Sequence, residues 1–171
     1  AFTFHGIAIG LRDLGMTMNP QAAHYSLLGI ETLSLRMNKH VENAVKVTNW
    51  LESHPAIEKV TYAGLSSSPY YKRVEKICPK GAGGLFTISL KGGFDSCVKF
   101  VDTLDIFSHV ANLGDSRSLV IHPASTTHRQ LTTEQQKAAG TGPEIVRISI
   151  GIEDADDLIS DLKQALDKSL R

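Results

Sequence analysis

The sequence predicts an α/β fold: a small α+β domain on a mixed or antiparallel sheet with helices on one side, preceded by a long linking helix. Three observations carry that reading. A helical periodicity without a strong breaker runs from Pro20 to His54. Beyond Pro55 the pattern changes to short apolar runs alternating at period two, with helical segments between them. Several connections between those runs are short, which suits a layered mixed or antiparallel sheet.

Asn19 reads as an N-cap and Pro20 as the first helical position. The stripe that follows passes through Ile30, Leu33, Met37, Val41, Ala44, Thr48 and Leu51. Gly29 costs it about 1 kcal/mol against Ala, and an unbroken helix of this span is on the order of 50 Å long. Such a length suits a strut joining two bodies. Next come a strand over Ile57 to Tyr62 and a short helix from Ser68-Pro69 through Val74. A loop at Gly81 to Gly84 precedes a strand over Leu85 to Leu90, with Phe86, Ile88 and Leu90 on one face. Gly92-Gly93 ends it, and a helix follows from Phe94 to about Leu104. Short strands are expected over Phe107 to Ala111 and Leu119 to Ile121, around a turn at Gly114. A small helix begins at Thr132-Thr133-Glu134 and ends near Gly140. Ile145 to Ile152 is the clearest strand. The last helix starts near Ala155 and turns Leu158, Ile159, Leu162, Ala165, Leu166 and Leu170 inward.

Composition removes several function classes. The 171 residues carry 18 basic and 18 acidic side chains with neither sign massed, so no positive field marks a nucleic-acid or anionic-membrane partner. At 42% hydrophobic residues the chain has the material for a packed core. No apolar run approaches the roughly 20 residues that cross a bilayer, and no signal peptide is evident, which makes the cytoplasm the expected compartment. Cys78 and Cys97 read as reduced thiols. The opening on Ala1-Phe2-Thr3-Phe4, without Met, suits a fragment of something longer.

Arg147 is the most informative residue. In the run Val146 to Ile152 the apolar side chains share one face, which leaves Arg147 beside Ser149 and Gly151 on the other. A guanidinium with open space next to it binds a carboxylate through two parallel hydrogen bonds. A surface arginine paired with a nearby acid is the ordinary alternative. The polar loop Asn112 to Ser118, between two apolar strands, is a place for ligand contacts or a tight turn capped by Asp115. His122 and His128 lack the spacing of a helical zinc site, and no G-x-S-x-G elbow supports a hydrolase triad; no metal is expected. Glu153, Asp154, Asp156 and Asp157 read as carboxylates favouring the N-terminus of the last helix. His5, His24, His40, His54 and His109 receive no role.

Taken together, Ala111-Asn112-Leu113-Gly114-Asp115, the run Ser118 to His128 and the run Val146 to Asp154 resemble the cystathionine synthase and methionine lyase family of pyridoxal phosphate (PLP) enzymes. Leu11 to Gly15, Gly29 to Arg36 and Gly81 to Gly84 are similar as well, so the likeness covers nearly the whole chain in order. The resemblance implies the C-terminal part of a fold-type I PLP-dependent transferase. Residues 1–54 would be the end of the large domain plus the connecting helix, and 55–171 the small domain. It implies that Arg147 binds the α-carboxylate of an amino-acid substrate, with contacts from Asn112 and Thr127. Asn at 112, where relatives often have Ser, together with Ser125-Thr126-Thr127-His128, resembles the O-acetylhomoserine sulfhydrylase branch, whose substrates are O-acetyl-L-homoserine and sulfide.

The family fixes PLP on a lysine in an S-x-T-K-like segment, and no lysine here has that context, so the cofactor and catalytic residues are expected outside this chain. Relatives are tetramers, which implies a homo-oligomer. Cystathionine γ-synthase, methionine γ-lyase, and a non-catalytic amino-acid-binding or assembly module are the alternatives.

Overall fold

A computed structural model describes residues 1–169, and Leu170, expected to point inward, lies outside them. The chain forms two compact units, residues 1–35 and 36–171. In the first, α1 (Phe2–His5) runs into a π-helical segment, Gly6–Asp13, and α2 spans Pro20–Glu31. Asn19 caps α2 as expected, its side chain accepting the Ala22 N–H at 2.8 Å. No residue of these three helical segments is buried.

The linking helix is not continuous. It breaks at Thr32, and α3 (Leu33–Glu52) begins one residue later. Thr32 sits at φ −103, ψ 4, outside helical geometry, with its N–H on Ile30 O. A β-branched residue three positions after Gly29 is a weak point in the helix, which accounts for the break without a proline. α3 is therefore about 30 Å long. Its stripe is buried only from His40 onward, where Ala44, Val47, Thr48 and Leu51 are covered, while Leu33 and Met37 stay exposed.

The second unit is built on a five-stranded sheet of order β1-β2-β5-β4-β3. The strands are β1 (Ile57–Thr61), β2 (Leu85–Leu90), β3 (Ser108–His109), β4 (Leu119–Ile121) and β5 (Ile145–Ser149). All pairings are antiparallel except β3 with β4, so the sheet is mixed. Phe86, Ile88 and Leu90 of β2 and Val146 and Ile148 of β5 alternate onto one face, joined by Val120 and Ile150. Against that face pack α3, α5 (Gly93–Thr103) and α7 (Ala155–Ser169) through Leu51, Phe100, Leu158, Leu162 and Leu166. Each fully buried side chain of this size contributes about 1.5–3 kcal/mol relative to exposure. The helices of the core thus lie on one side of the sheet.

Three further elements differ from the sequence reading. Ser68 to Tyr70 forms a turn, with Tyr71 N–H on Ser68 O, and α4 occupies Tyr71–Ile77. β3 is two residues long, because only Ser108 and His109 find partners on β4. β5 ends at Ser149: beyond it the Ile152 N–H turns to Ser116 O, and Ile152 is left 37% exposed rather than sharing the buried face. The small helix α6 (Thr133–Ala138) starts with a capping box between Thr132 and Gln135. Ile159 is half-buried, whereas Leu158, Leu162, Ala165 and Leu166 are in the core. Both cysteines are free, Cys78 exposed and Cys97 buried. No helix among the described residues is long and apolar enough to cross a membrane.

Candidate functional site

The site lies on the sheet face away from the core. β5 places Arg147 between Thr87 of β2 and Ile121 of β4 in register, with Ser149 two residues along the same face. Thr87 and Ser149 are short, Ile121 is a buried apolar neighbour, and Arg147 itself is half-buried. Its Nη2 donates to the backbone carbonyl of Asn112 at 3.4 Å, and no carboxylate pairs with it among the described residues. The ordinary alternative, an arginine spent on a neighbouring acid, is not what the structure contains.

Asn112 and Arg147 are therefore brought together, but through the backbone of Asn112. The Asn112 side-chain oxygen accepts its neighbour's N–H, from Leu113, at 2.9 Å. Thr127 is exposed on the loop after β4, and its hydroxyl hydrogen-bonds His128 Nδ1 at 2.8 Å rather than joining the other two among the described residues. Asp115 does what a turn aspartate does: it accepts the Arg117 N–H at 3.0 Å and pairs with the Arg117 guanidinium at 3.2 Å. The Arg117 hydrogen bonds hold its carboxyl below the usual range.

His122 is structural. It is buried, with Nε2 donating to Pro143 O and Nδ1 accepting from the Ser125 hydroxyl, each at 2.9 Å. Burial lowers its pKa, which the Pro143 bond partly opposes. A neutral imidazole in that setting holds the turn Pro123–Ser125 beneath the loop that carries Thr127.

Several residues given no role in the sequence reading position the end of β5. His40 of α3, 2% exposed, donates from Nδ1 to Ile150 O at 2.6 Å. The Asn43 amide donates to Gly151 O at 3.1 Å and Glu153 O at 2.7 Å. On the other side the Ile150 N–H donates to Gly84 O at 2.8 Å. A side chain at Gly84 would place its Cβ 3.1 Å from Ile150 O and 3.3 Å from His40 Cβ, so the loop needs a glycine to approach this closely. The spacing was the available signal: 40, 44, 47 and 51 share one helical face, which puts His40 on the buried stripe. Next to these contacts is a largely apolar cavity of about 200 Å³, lined by Met37, His40, Leu85, Leu113, Gly114 and Ser149.

Glu153 corrects another expectation. Asp154 does cap α7, accepting the Asp156 N–H at 2.8 Å, but Glu153 turns back to Ser118, accepting its N–H at 2.6 Å and its hydroxyl at 2.9 Å. No lysine among the described residues is buried, and Lys39, which is half-buried, pairs with Glu42.

Known proteins give the arrangement a context. Residues 4–167 match the family model described as Cys/Met metabolism PLP-dependent enzyme. O-acetyl-L-homoserine sulfhydrylase 1 of Thermus thermophilus is 45% identical over 97% of the chain, and O-acetyl-L-homoserine sulfhydrylase of Leptospira meyeri is 47% identical over 97%. L-methionine gamma-lyase of Fusobacterium nucleatum is 40% identical over 94%. A crystal structure from Campylobacter jejuni, assigned as an O-acetylhomoserine (thiol)-lyase and carrying a pyridoxyl-lysine phosphate, superposes with TM-score 0.89 at 45% identity over 97% of this chain. The chain spans about two fifths of these proteins: 39% and 38% of the two sulfhydrylases, 40% of the lyase and 39% of the crystallised chain. A match over nearly all of the sequence, with the fold to accompany it, places this chain in the Cys/Met metabolism PLP-dependent enzyme family.

Proposed function

We propose that this chain supplies the amino-acid carboxylate site of an O-acetylhomoserine sulfhydrylase, the PLP-dependent replacement of the acetoxy group of O-acetyl-L-homoserine by sulfide to give homocysteine and acetate. The observation that carries it is Arg147, a half-buried guanidinium whose hydrogen bond within the chain is a long one to a neutral carbonyl. A planar donor fork so placed accepts a carboxylate through two charge-assisted bonds, about twice as strong as neutral ones. Holding the acid end fixes the Cα–H bond in space, and orientation of this kind lowers a barrier by several kcal/mol. Asn112 and Thr127 complete the surroundings of the bound amino acid in this reading.

PLP and the residues that react with it belong to the rest of the protein on this account. Residues 1–54 then form the end of the large domain with its linking helix, and 55–171 the small domain. The whole enzyme is a cytoplasmic homotetramer that draws on small molecules alone.

The similarity to a methionine gamma-lyase, at 40% identity, supports one second reading, elimination rather than replacement. Assaying the full-length protein with O-acetylhomoserine plus sulfide, with O-acetylhomoserine plus cysteine, and with methionine alone separates the two. Homocysteine from the first mixture is the expected product. Methanethiol release from methionine at a comparable rate would favour the lyase.

A further inference from the structure

The loop 112–118 is stitched to β5 and its continuation at both ends. Near its start, Asn112 O accepts from Arg147 at 3.4 Å and the Gly114 N–H donates to Ser149 Oγ at 3.3 Å. Near its end, the Ile152 N–H donates to Ser116 O at 2.9 Å. Ser118 is the pivot. Its oxygen accepts the Gly151 N–H at 2.8 Å while its hydroxyl donates to Glu153 Oε2, and its own N–H donates to Oε1. Gly151 leaves no room for a methyl, because a Cβ there would run into the Glu153 carboxylate, Ser116 O and the Arg117 backbone. The loop backbone thus lies directly on the strand extension, and a half-buried carboxylate clamps it there. No cation pairs with Glu153 among the described residues, so both its oxygens are committed to Ser118.

We propose that Glu153 is a positioning residue: by gripping Ser118 it sets where the 112–117 loop lies and, through the Asn112 carbonyl, how the Arg147 guanidinium is aimed at the carboxylate of the amino-acid ligand. The inference rests on the carboxylate-site reading of Arg147. It uses two features that a general stabilising contact would not need. The clamp acts on the loop that bears the arginine's partner, and both oxygens of the acid are used on one residue of that loop. A neutral amide would take the charge out of both bonds and, with its oxygen on the Ser118 N–H, would meet the hydroxyl as a donor instead of an acceptor, so the grip would loosen without emptying the site.

The test is a double-mutant cycle in the full-length enzyme, loaded with PLP, comparing Glu153→Gln, Arg147→Ala and the pair. Glu153→Gln is expected to raise KM for O-acetylhomoserine about fivefold and to lower kcat by less than that, with KM for sulfide within about twofold. The pair should show the KM of Arg147→Ala alone, because a residue acting through the arginine has nothing left to act on. Should Glu153→Gln fail to fold, Ser118→Ala, which removes the hydroxyl but keeps the N–H bond, is put through the same cycle with the same expectation at smaller size. An unchanged KM for O-acetylhomoserine in the Glu153 variant, beside a raised one in Arg147→Ala, overturns the inference alone. So does a double mutant whose effects multiply. Wild-type KM in Arg147→Ala overturns the carboxylate-site reading, and this inference with it.

Discussion

Arg147 Nη2 meets the carbonyl of Asn112 at 3.4 Å, across 35 residues of sequence, and this long bond to a neutral acceptor is what leaves the guanidinium open to an anion. An arginine committed to a carboxylate of its own chain would be structural and nothing more. Here the fold brings the arginine to a face where its neighbour on β2, Thr87, and its strand neighbour Ser149 are short and polar, and its neighbour on β4, Ile121, is apolar.

His40 ties α3 to the strand extension that begins one residue after β5, across 110 residues of sequence. Replacing it with Ala leaves the Ile150 carbonyl buried without that donor, a loss of about 1–3 kcal/mol, with a further cost from the emptied volume. Denaturant unfolding of His40→Ala should show a lower midpoint with an unchanged slope. A midpoint equal to wild type would mean that the bond contributes nothing.

Gly151→Ala tests how closely the loop approaches. Its new methyl would press on the Glu153 carboxylate and the Ser116 carbonyl, and overpacking of backbone against backbone costs about 1–3 kcal/mol or more. A drop in thermal midpoint is expected, larger than for Gly6→Ala, where nothing lies within 4 Å of the added atom.

Thiol chemistry reports on the core. Burial, helped by the charge of Glu144, pushes the Cys97 thiol up to about 12, whereas Cys78 is exposed. Since the thiolate is the nucleophile, a disulfide reagent at pH 8 should label one thiol of the folded 171-residue chain quickly, and the second only on unfolding. Fast labelling of both would contradict the packing of α5.

These elements also show what the sequence made legible. The β2 boundaries and the buried face of β5 through Ile148 followed from strict alternation, and the start of α2 at Asn19-Pro20 from capping chemistry, because each depends on neighbours a few residues apart. The break at Thr32 and the early end of β5 did not, since a weak helix former and a backbone turned toward Ser116 are decided by local energetics and distant partners respectively. In the site, Arg147 stood out from its face. His40, Asn43 and the turn of Glu153 toward Ser118 could not be read in full, because their partners lie 35 to 110 residues away.

His122 predicts a pH dependence. Its pKa is lowered in the folded state, mainly by burial, so below the unfolded value of about 6.5 the unfolded chain takes up the proton first. The stability contributed by its neutral form is complete above that value and declines as pH falls from it toward the lower folded pKa. His54, also lowered by burial, acts in the same direction. His122→Gln, which keeps a donor for Pro143, should flatten part of the acid limb of the stability curve between pH 7 and pH 5. An unaltered limb would show that His122 is as easily protonated folded as unfolded.

The carboxylate grip itself is best measured by pairing a change in the enzyme with a change in the ligand. KM for O-acetylhomoserine and for its methyl ester should be determined with wild-type full-length enzyme and with Arg147→Ala. Loss of a charge-assisted pair worth about 1.5–3 kcal/mol predicts a rise of at least about tenfold in KM when either the arginine or the acid is removed. Removing both should add almost nothing. If wild-type enzyme handles the ester as well as the acid, or Arg147→Ala still prefers the acid by the full margin, the amino-acid carboxylate is held elsewhere.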